Sequence, residues 1–348
     1  MAASRAVFIF PFNPTWVTYS GCKRLHQGLR RKILEYRAAP WDSLPPPKPT
    51  FLAIEPAPTF LLGSSAAKYD PKDEKGWLAS LAERFSLQSL ARTGDFFDKD
   101  NTYRLSNTQS SILTQELDIY SLRTWEHREA ADENPKREAT MFTCHAEVAK
   151  RLDRDLSTYV GPGQVLVWPV LDLRLTKFSG CTKGQVEQAI GSEIVTILQK
   201  FTDSRDPMYK PGSGVWVDSR YFKEPRQIAD VHASVEEDIL SFRAILNVEN
   251  PVLGPSRINP WSRMEAADIA FNPVTSIIAE VGITGHELGF LHGIKSAKEN
   301  AITLCKDILM YNLLDLFDLL PTDPVQPEEV FGDSWQSVIK DGTPDWII

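Results

Sequence analysis

Two segments carry apolar side chains at the spacing of a helix with one buried face. Leu25, Leu29, Ile33 and Leu34 do so within residues 17–36, and Val186, Ile190, Ile194, Ile197 and Leu198 within residues 182–201. Thr182 opens the second segment, where a hydroxyl can accept a backbone N–H of the first turn. A further helix is expected over residues 297–320, rich in Leu and Ile. Elsewhere the apolar runs are short, rich in β-branched and aromatic residues, and bounded by turn residues. They predict strands at 7–10, 51–55, 165–171, 214–218, 228–235 and 242–248. Strands interleaved with helices place the chain in the α/β or α+β class.

Two stretches interrupt the pattern. Residues 38–50 hold Pro40, Pro45, Pro46, Pro47 and Pro49; proline lacks an N–H and fixes its own φ, so this is an exposed connection. Residues 64–137 are polar and charged with no strong period, which reads as a long insertion, with a short helix expected over 77–90.

Composition narrows the function classes. Of 348 residues, 42% are hydrophobic, enough for a large core, and no run of eighteen apolar residues predicts a membrane span. The net charge of −8 disfavours non-specific binding to nucleic acid or an anionic membrane. Cys22, Cys144, Cys181 and Cys305 are far apart and form no C-x-x-C pair, so neither a zinc knuckle nor a redox motif is indicated. Scattered cysteines fit a reducing compartment. The apolar start of the chain is too short for a signal peptide, and the Lys/Arg-rich residues 23–32 fall inside the first expected helix, so a cytoplasmic location is expected.

The chemistry gathers around Gly161-Pro162-Gly163-Gln164, a tight turn that feeds the apolar run Val165-Leu166-Val167-Trp168-Pro169-Val170-Leu171-Asp172-Leu173. Upstream, Glu55-Pro56-Ala57-Pro58-Thr59-Phe60-Leu61-Leu62-Gly63 is a turn leading into another strand. Both resemble signatures of the lipoyl(octanoyl)transferases, part of the biotin/lipoate protein ligase superfamily. Residues 214–218 and 227–248 match the family in order, and Pro273-Val274-Thr275-Ser276-Ile277-Ile278-Ala279-Glu280 resembles its C-terminal segment. The resemblance implies an α+β (α/β-like) fold with a mixed central sheet flanked by helices. It also implies one domain over 1–348. The implied activity is transfer of an octanoyl group from acyl carrier protein to a lipoyl-domain lysine through a cysteine thioester.

Against the family pattern several functional positions differ. Val160 stands where the family has a histidine before Gly-Pro-Gly. Gln227 stands at its lysine and Trp261 at its cysteine, so neither the thioester nor its proton transfer is available. Asp153-Arg154-Asp155 replaces Arg-Gly-Gly, and Ser241-Phe242-Arg243 replaces Ser-His-Gly, while Leu246-Asn247-Val248 is kept. Glu236-Glu237 replaces paired arginines, so docking of an acidic lipoyl domain is opposed; neither that domain nor acyl carrier protein is expected as a partner.

Two ionisable groups are new. His232 takes the place of a pocket-side glycine, and Asp230 lies two residues before it, on the same side of a strand. They read as an acid/base pair, the alternative being two residues on a solvated strand face. Trp261 and Phe242 would enlarge an apolar surface, with Gln227, Asp230, His232 and Arg243 as placed polar groups. The expected ligand is a hydrophobic, acyl- or polyketide-like small molecule. It would be cyclised, isomerised or rearranged without a covalent acyl-enzyme, a cofactor or a metal. Acyl transfer by another nucleophile, with Cys144 beside His145 as a candidate, and a non-catalytic binding protein stay open. Gly285-His286-Glu287-Leu288-Gly289-Phe290-Leu291-His292 is a weak metal signal, because the second histidine is six residues from the first rather than four.

Overall fold

The structure, a computed structural model, describes residues 7–9, 19–40, 43–44, 46–54, 58–65, 87–90, 103–104, 140–144, 147–150, 154–161, 163–201, 206–219, 222–248, 250, 252, 259–281 and 301–320. The chain opens with β1 (Val7–Ile9), α1 (Tyr19–Ala38), β2 (Thr50–Ile54) and β3 (Thr59–Leu62). Short strands β4 (Leu87–Leu90), β5 (Tyr103–Arg104), β6 (Thr140–Cys144), β7 (Glu147–Lys150) and β8 (Thr158–Val160) follow. Then come β9 (Gln164–Asp172), α2 (Lys183–Phe201), β10 (Met208–Lys210), β11 (Gly214–Val217), β12 (Arg226–Glu236) and β13 (Ile239–Asn247). Helices α3 (Pro260–Ala266), α4 (Ile277–Val281) and α5 (Ala301–Leu316) complete it.

A seven-stranded sheet in the order β1-β2-β9-β13-β12-β11-β10 forms the centre. Only β1 and β2 pair in parallel, so the sheet is mixed and mostly antiparallel. β9 lies inside it and is buried along its whole length, which is why its sequence is a continuous apolar run. Alternation sorts its side chains. Val165, Val167 and Leu171 join a core under α2 and α5, while Leu166, Trp168 and Val170 join another under α1. β13 does the same with Phe242, Ala244 and Leu246 on the α2 side and Ile239 and Ile245 on the α1 side. A third core, around Phe60, Tyr159, Trp261 and Met264, lies by the small sheet β7-β3-β8. The fold is thus α+β, with a mixed sheet flanked by helices, as expected. No helix among the described residues is long and apolar enough to cross a membrane.

Local chemistry sets the element ends. Thr182 and Gln185 form a capping box on α2: the Gln185 N–H donates to Thr182 Oγ1 at 3.4 Å, and the Thr182 N–H to Gln185 Oε1 at 2.8 Å. Glu237 and Asp238 both have positive φ, 53° and 55°, which makes the β12–β13 connection a two-residue turn of the type that suits strand twist. In the signature turn Gly163 has φ 87°, and a Cβ there would lie 2.6 Å from the Asn250 backbone nitrogen, so both conformation and space require glycine.

The structure corrects the expectation of a helix over 77–90 in one part: residues 87–90 form β4, antiparallel to β6, and the remainder lies outside the described residues. The expected last helix is shorter, ending at Leu316, where Asp318 turns the chain with φ 54°. α3 was not expected. Its signal was present, because Asn259 Oδ1 accepts the backbone N–H groups of Trp261 and Ser262 at 3.0 and 3.3 Å, and Pro260 begins the helix.

Asp172, at the end of β9, ties α1 to the sheet. Arg37 Nη2 and Nε donate to its two oxygens at 2.8 and 3.2 Å, and Arg174 Nη2 and Nε do so at 2.7 and 3.0 Å. Burial pushes the carboxyl pKa up, but hydrogen bonds from Arg174 and Arg37 outweigh it and hold it below its ordinary value. A folded-state pKa below the unfolded one gives stability that is present above the ordinary carboxylate range, near pH 4, and is lost as pH falls through the folded value. Asp172→Asn is therefore expected to cost about 2 kcal/mol at neutral pH. The gap to the parent should close on acidification below the ordinary carboxylate range, as melting curves over a pH series would record; a pH-independent gap would contradict this.

Candidate functional site

The site arises where β12 outruns its neighbour. β11 pairs with β12 only as far as Val215 opposite Ala229, so from Asp230 onward no strand among the described residues lies beside that edge of β12. Arg154 fills the step. Its Nη2 donates to the Val231 carbonyl at 2.5 Å and its Nη1 to the Gly212 carbonyl, satisfying acceptors that the strand pairing leaves over. The same guanidinium stands 3.7 Å from Glu187 Oε1 on α2 and 3.9 Å from Asp230 Oδ1. On the other side of Asp230, Arg243 Nη2 lies 3.8 Å from Oδ2, and Arg243 Nη1 donates to the hydroxyl of Tyr19 on α1. A carboxylate that is 8% exposed thus sits between two guanidiniums.

Beside this network is a cavity of about 380 Å³, within the range of small-molecule sites. Arg154, Ser157 and Thr158 line it from the segment ahead of the signature turn, Gly212 and Ser213 from the β10–β11 turn, and Gln227 and Asp230 from β12; Asn272 closes it. Gln227 organises this wall. Its Nε2 donates to the Ser213 carbonyl, its Oε1 accepts from Asn272 Nδ2 at 3.2 Å, and its backbone bonds Pro273 and Thr275 at 2.8 and 2.9 Å.

The residues expected at the site separate into two groups. Gln227 and Asp230 line the cavity, Arg243 stands behind Asp230, and His232 is half-buried, opposite Arg243 in register and on the Asp230 face of β12. The three apolar candidates do not meet. Phe242 faces the α2–α5 core and stacks on Phe317 at 6.0 Å. Val160 is buried in the α1 core, and Trp261 packs edge-on against Tyr159 at 5.7 Å in the third core. They fill three interiors rather than one apolar cleft. The Cys144 side chain, His145, His286 and His292 lie outside what is described. Reading the sequence missed Ser157, Ser213, Asn272 and Glu187, and took Arg154 only as a changed position. A lone arginine between two aspartates reads as surface charge, and nothing local announces that it closes a step in a sheet.

A second polar group sits on the α1 face. His26 stacks on Trp168 at 4.9 Å, and its Nε2 is 2.5 Å from Ser241 Oγ. Burial first, then the charges of Arg30 and Arg243, lower its pKa to about 4, so at neutral pH the ring is uncharged, and its tautomer sets which partner donates in the bond with Ser241. The unfolded chain takes up this proton near pH 6.5, whereas the folded chain does so only near 4. Stability should fall as pH is lowered through that window, by no more than roughly 3 kcal/mol at its acid end. His26→Gln should remove that part of the slope in equilibrium unfolding; an unaltered slope would contradict it.

No family model matches the sequence, and no curated protein matches it. Among solved structures, a protein of T. acidophilum with bound lipoic acid aligns over 99% of this chain and 98% of its own, at 8% identity and a TM-score of 0.45. The bipartite lipoate protein ligase of Thermoplasma acidophilum, solved with its E2 lipoyl domain, aligns over 98% and 92% at 9% identity and a TM-score of 0.41. LipL1 of P. falciparum in complex with lipoate aligns over 96% and 71% at 8% identity and a TM-score of 0.42. What this chain does therefore has to be argued from its own residues.

Proposed function

We propose that this chain is a diverged member of the biotin/lipoate protein ligase superfamily. In this reading it acts on an acyl- or polyketide-like small molecule by positioning and acid/base chemistry, without a covalent acyl-enzyme. One observation carries the reading. Two of the segments that resemble the octanoyltransferases meet at one cavity, Thr158 coming from one and Gln227 and Asp230 from the other, while the remaining lining residues flank the matched stretches. Gln227 stands in that wall at the position of the family's lysine, and its amide is engaged with Ser213 and Asn272.

The lining decides which part of the ligand enters. Leu156 is the one large apolar side chain among the lining residues, so the cavity takes the polar end of the molecule and an apolar tail lies elsewhere. Asp230 and His232 are the acid/base candidates, with Arg154 and Arg243 fixing the Asp230 carboxylate. Thiol chemistry has little support among the described cysteines. Cys22 and Cys305 are buried in separate cores, Cys181 packs at the edge of the α2–α5 core, and none lines the cavity.

Incubation with octanoyl carrier protein, followed by intact-mass spectrometry and a transfer assay on a lipoyl domain, tests the reading. The expected result is no acyl adduct and no transfer. A stable adduct on any cysteine, or transfer to the lipoyl lysine, would restore the family reaction and overturn this one.

A further inference from the structure

Two hydroxyls in the cavity are half used. Ser157 Oγ accepts the backbone N–H of Gly63 at 3.0 Å, and Ser213 Oγ accepts the indole N–H of Trp216 at 3.0 Å. A hydroxyl has one hydrogen to give as well as lone pairs to receive. Neither serine gives its hydrogen to any described residue, although Ser157 is only 3% exposed. Both serines are among the residues that line the same cavity. Leaving the buried Ser157 donor unmade is costly, and a ligand acceptor would answer it, with the half-buried Ser213 hydroxyl able to join.

The wall between them adds the complementary group. Asn272 donates to Gln227 Oε1 through Nδ2, which leaves its own carbonyl oxygen to receive. Charge then discriminates between head groups. Among the lining residues one cation, Arg154, stands against two carboxylates, Asp155 and Asp230, a formal balance of −1. A ligand carboxylate would meet like charge there. A ligand ammonium has donors only and cannot take the serine hydrogens. An uncharged carboxamide supplies both a carbonyl oxygen and an N–H.

We infer that the cavity selects an uncharged carboxamide, its carbonyl oxygen held by the Ser157 and Ser213 hydroxyls and its N–H by Asn272 Oδ1. This rests on the small-molecule reading above and names the head group that reading left open. It assigns Ser157, Ser213 and Asn272 a binding role that nothing in the family pattern foretells.

The test compares octanamide, octanoate and octylamine, which share a tail and differ in the head, by ligand-observed NMR on the full chain. Octanamide should bind at least about 10-fold more tightly than the other two, and Ser213→Ala or Ser157→Ala should weaken it about 3- to 10-fold, the size of one neutral hydrogen bond. Ser157→Ala also strips Gly63 of its acceptor, so the half-buried Ser213 provides the second variant if the first does not fold; melting curves verify both. Tighter binding of octanoate or octylamine, or serine variants that hold octanamide as well as the parent, would overturn the inference and leave the small-molecule reading standing. Absence of binding by all three would count against both.

Discussion

Phe242→Ala is expected to cost about 3–5 kcal/mol of unfolding free energy, the usual range for emptying a phenylalanine site in a core. Phe242 is fully buried, stacks on Phe317 and packs in the core under α2 and α5, with Leu240, Ala244 and Leu246 on the same face of β13. The ring is large and its surroundings are held by strands on both sides, so the site can collapse only in part. The sequence reading gives this residue a different role, as an apolar wall of the ligand site. The two roles make opposite predictions. A core residue lowers the denaturant midpoint and leaves octanamide affinity of the folded protein near its parent value. A wall residue loses affinity first. Chemical denaturation together with the NMR titration separates them, and a loss of affinity at unchanged midpoint would reject the core assignment.

The two roles of Phe242 come from two different signals in the sequence. Alternation along residues 239–247 puts Phe242 and Arg243 on opposite faces whatever the register, so both cannot line one cleft on that strand. The resemblance had set them side by side because the family places functional groups at neighbouring positions there. Period-two patterning places Phe242 in the core under α2 and α5. Patterning likewise places helix α2, whose apolar stripe and capping pair are complete in the sequence. Those features depend on neighbours three or four residues away. The cavity does not. It joins Arg154 to Val231, Gln227 to Asn272 and Ser157 to Gly63, all distant in sequence. Gln227 and Asp230 were legible only because the matched segment 227–248 carried them. Arg154 was not, since its role follows from β11 ending earlier than β12, a length difference that no single segment contains.

Asp230→Asn is expected to be the most disruptive polar substitution, also about 3–5 kcal/mol, because it removes the buried carboxylate that faces Arg243 and Arg154. Arg243, 5% exposed, would face a neutral amide 3.8 Å away, while Arg154 would retain Glu187 at 3.7 Å. The loss should therefore fall mainly on the Arg243 side, and the double variant Asp230→Leu, Arg243→Met should recover much of it, since an apolar pair of similar volume is often no less stable than a buried ion pair. Added salt should change this loss little, in contrast to the more exposed Arg30–Glu236 pair on α1 and β12. A double variant no better than the single one would mean that Asp230 acts through something other than these arginines. His232→Gln completes the comparison. Its ring is half-buried, so it should leave the melting temperature near the parent value, and if the acid/base reading is right turnover falls in both variants. Turnover that survives His232→Gln and falls only with stability in Asp230→Asn would reduce Asp230 to a structural counter-ion and remove the acid/base pair from the mechanism.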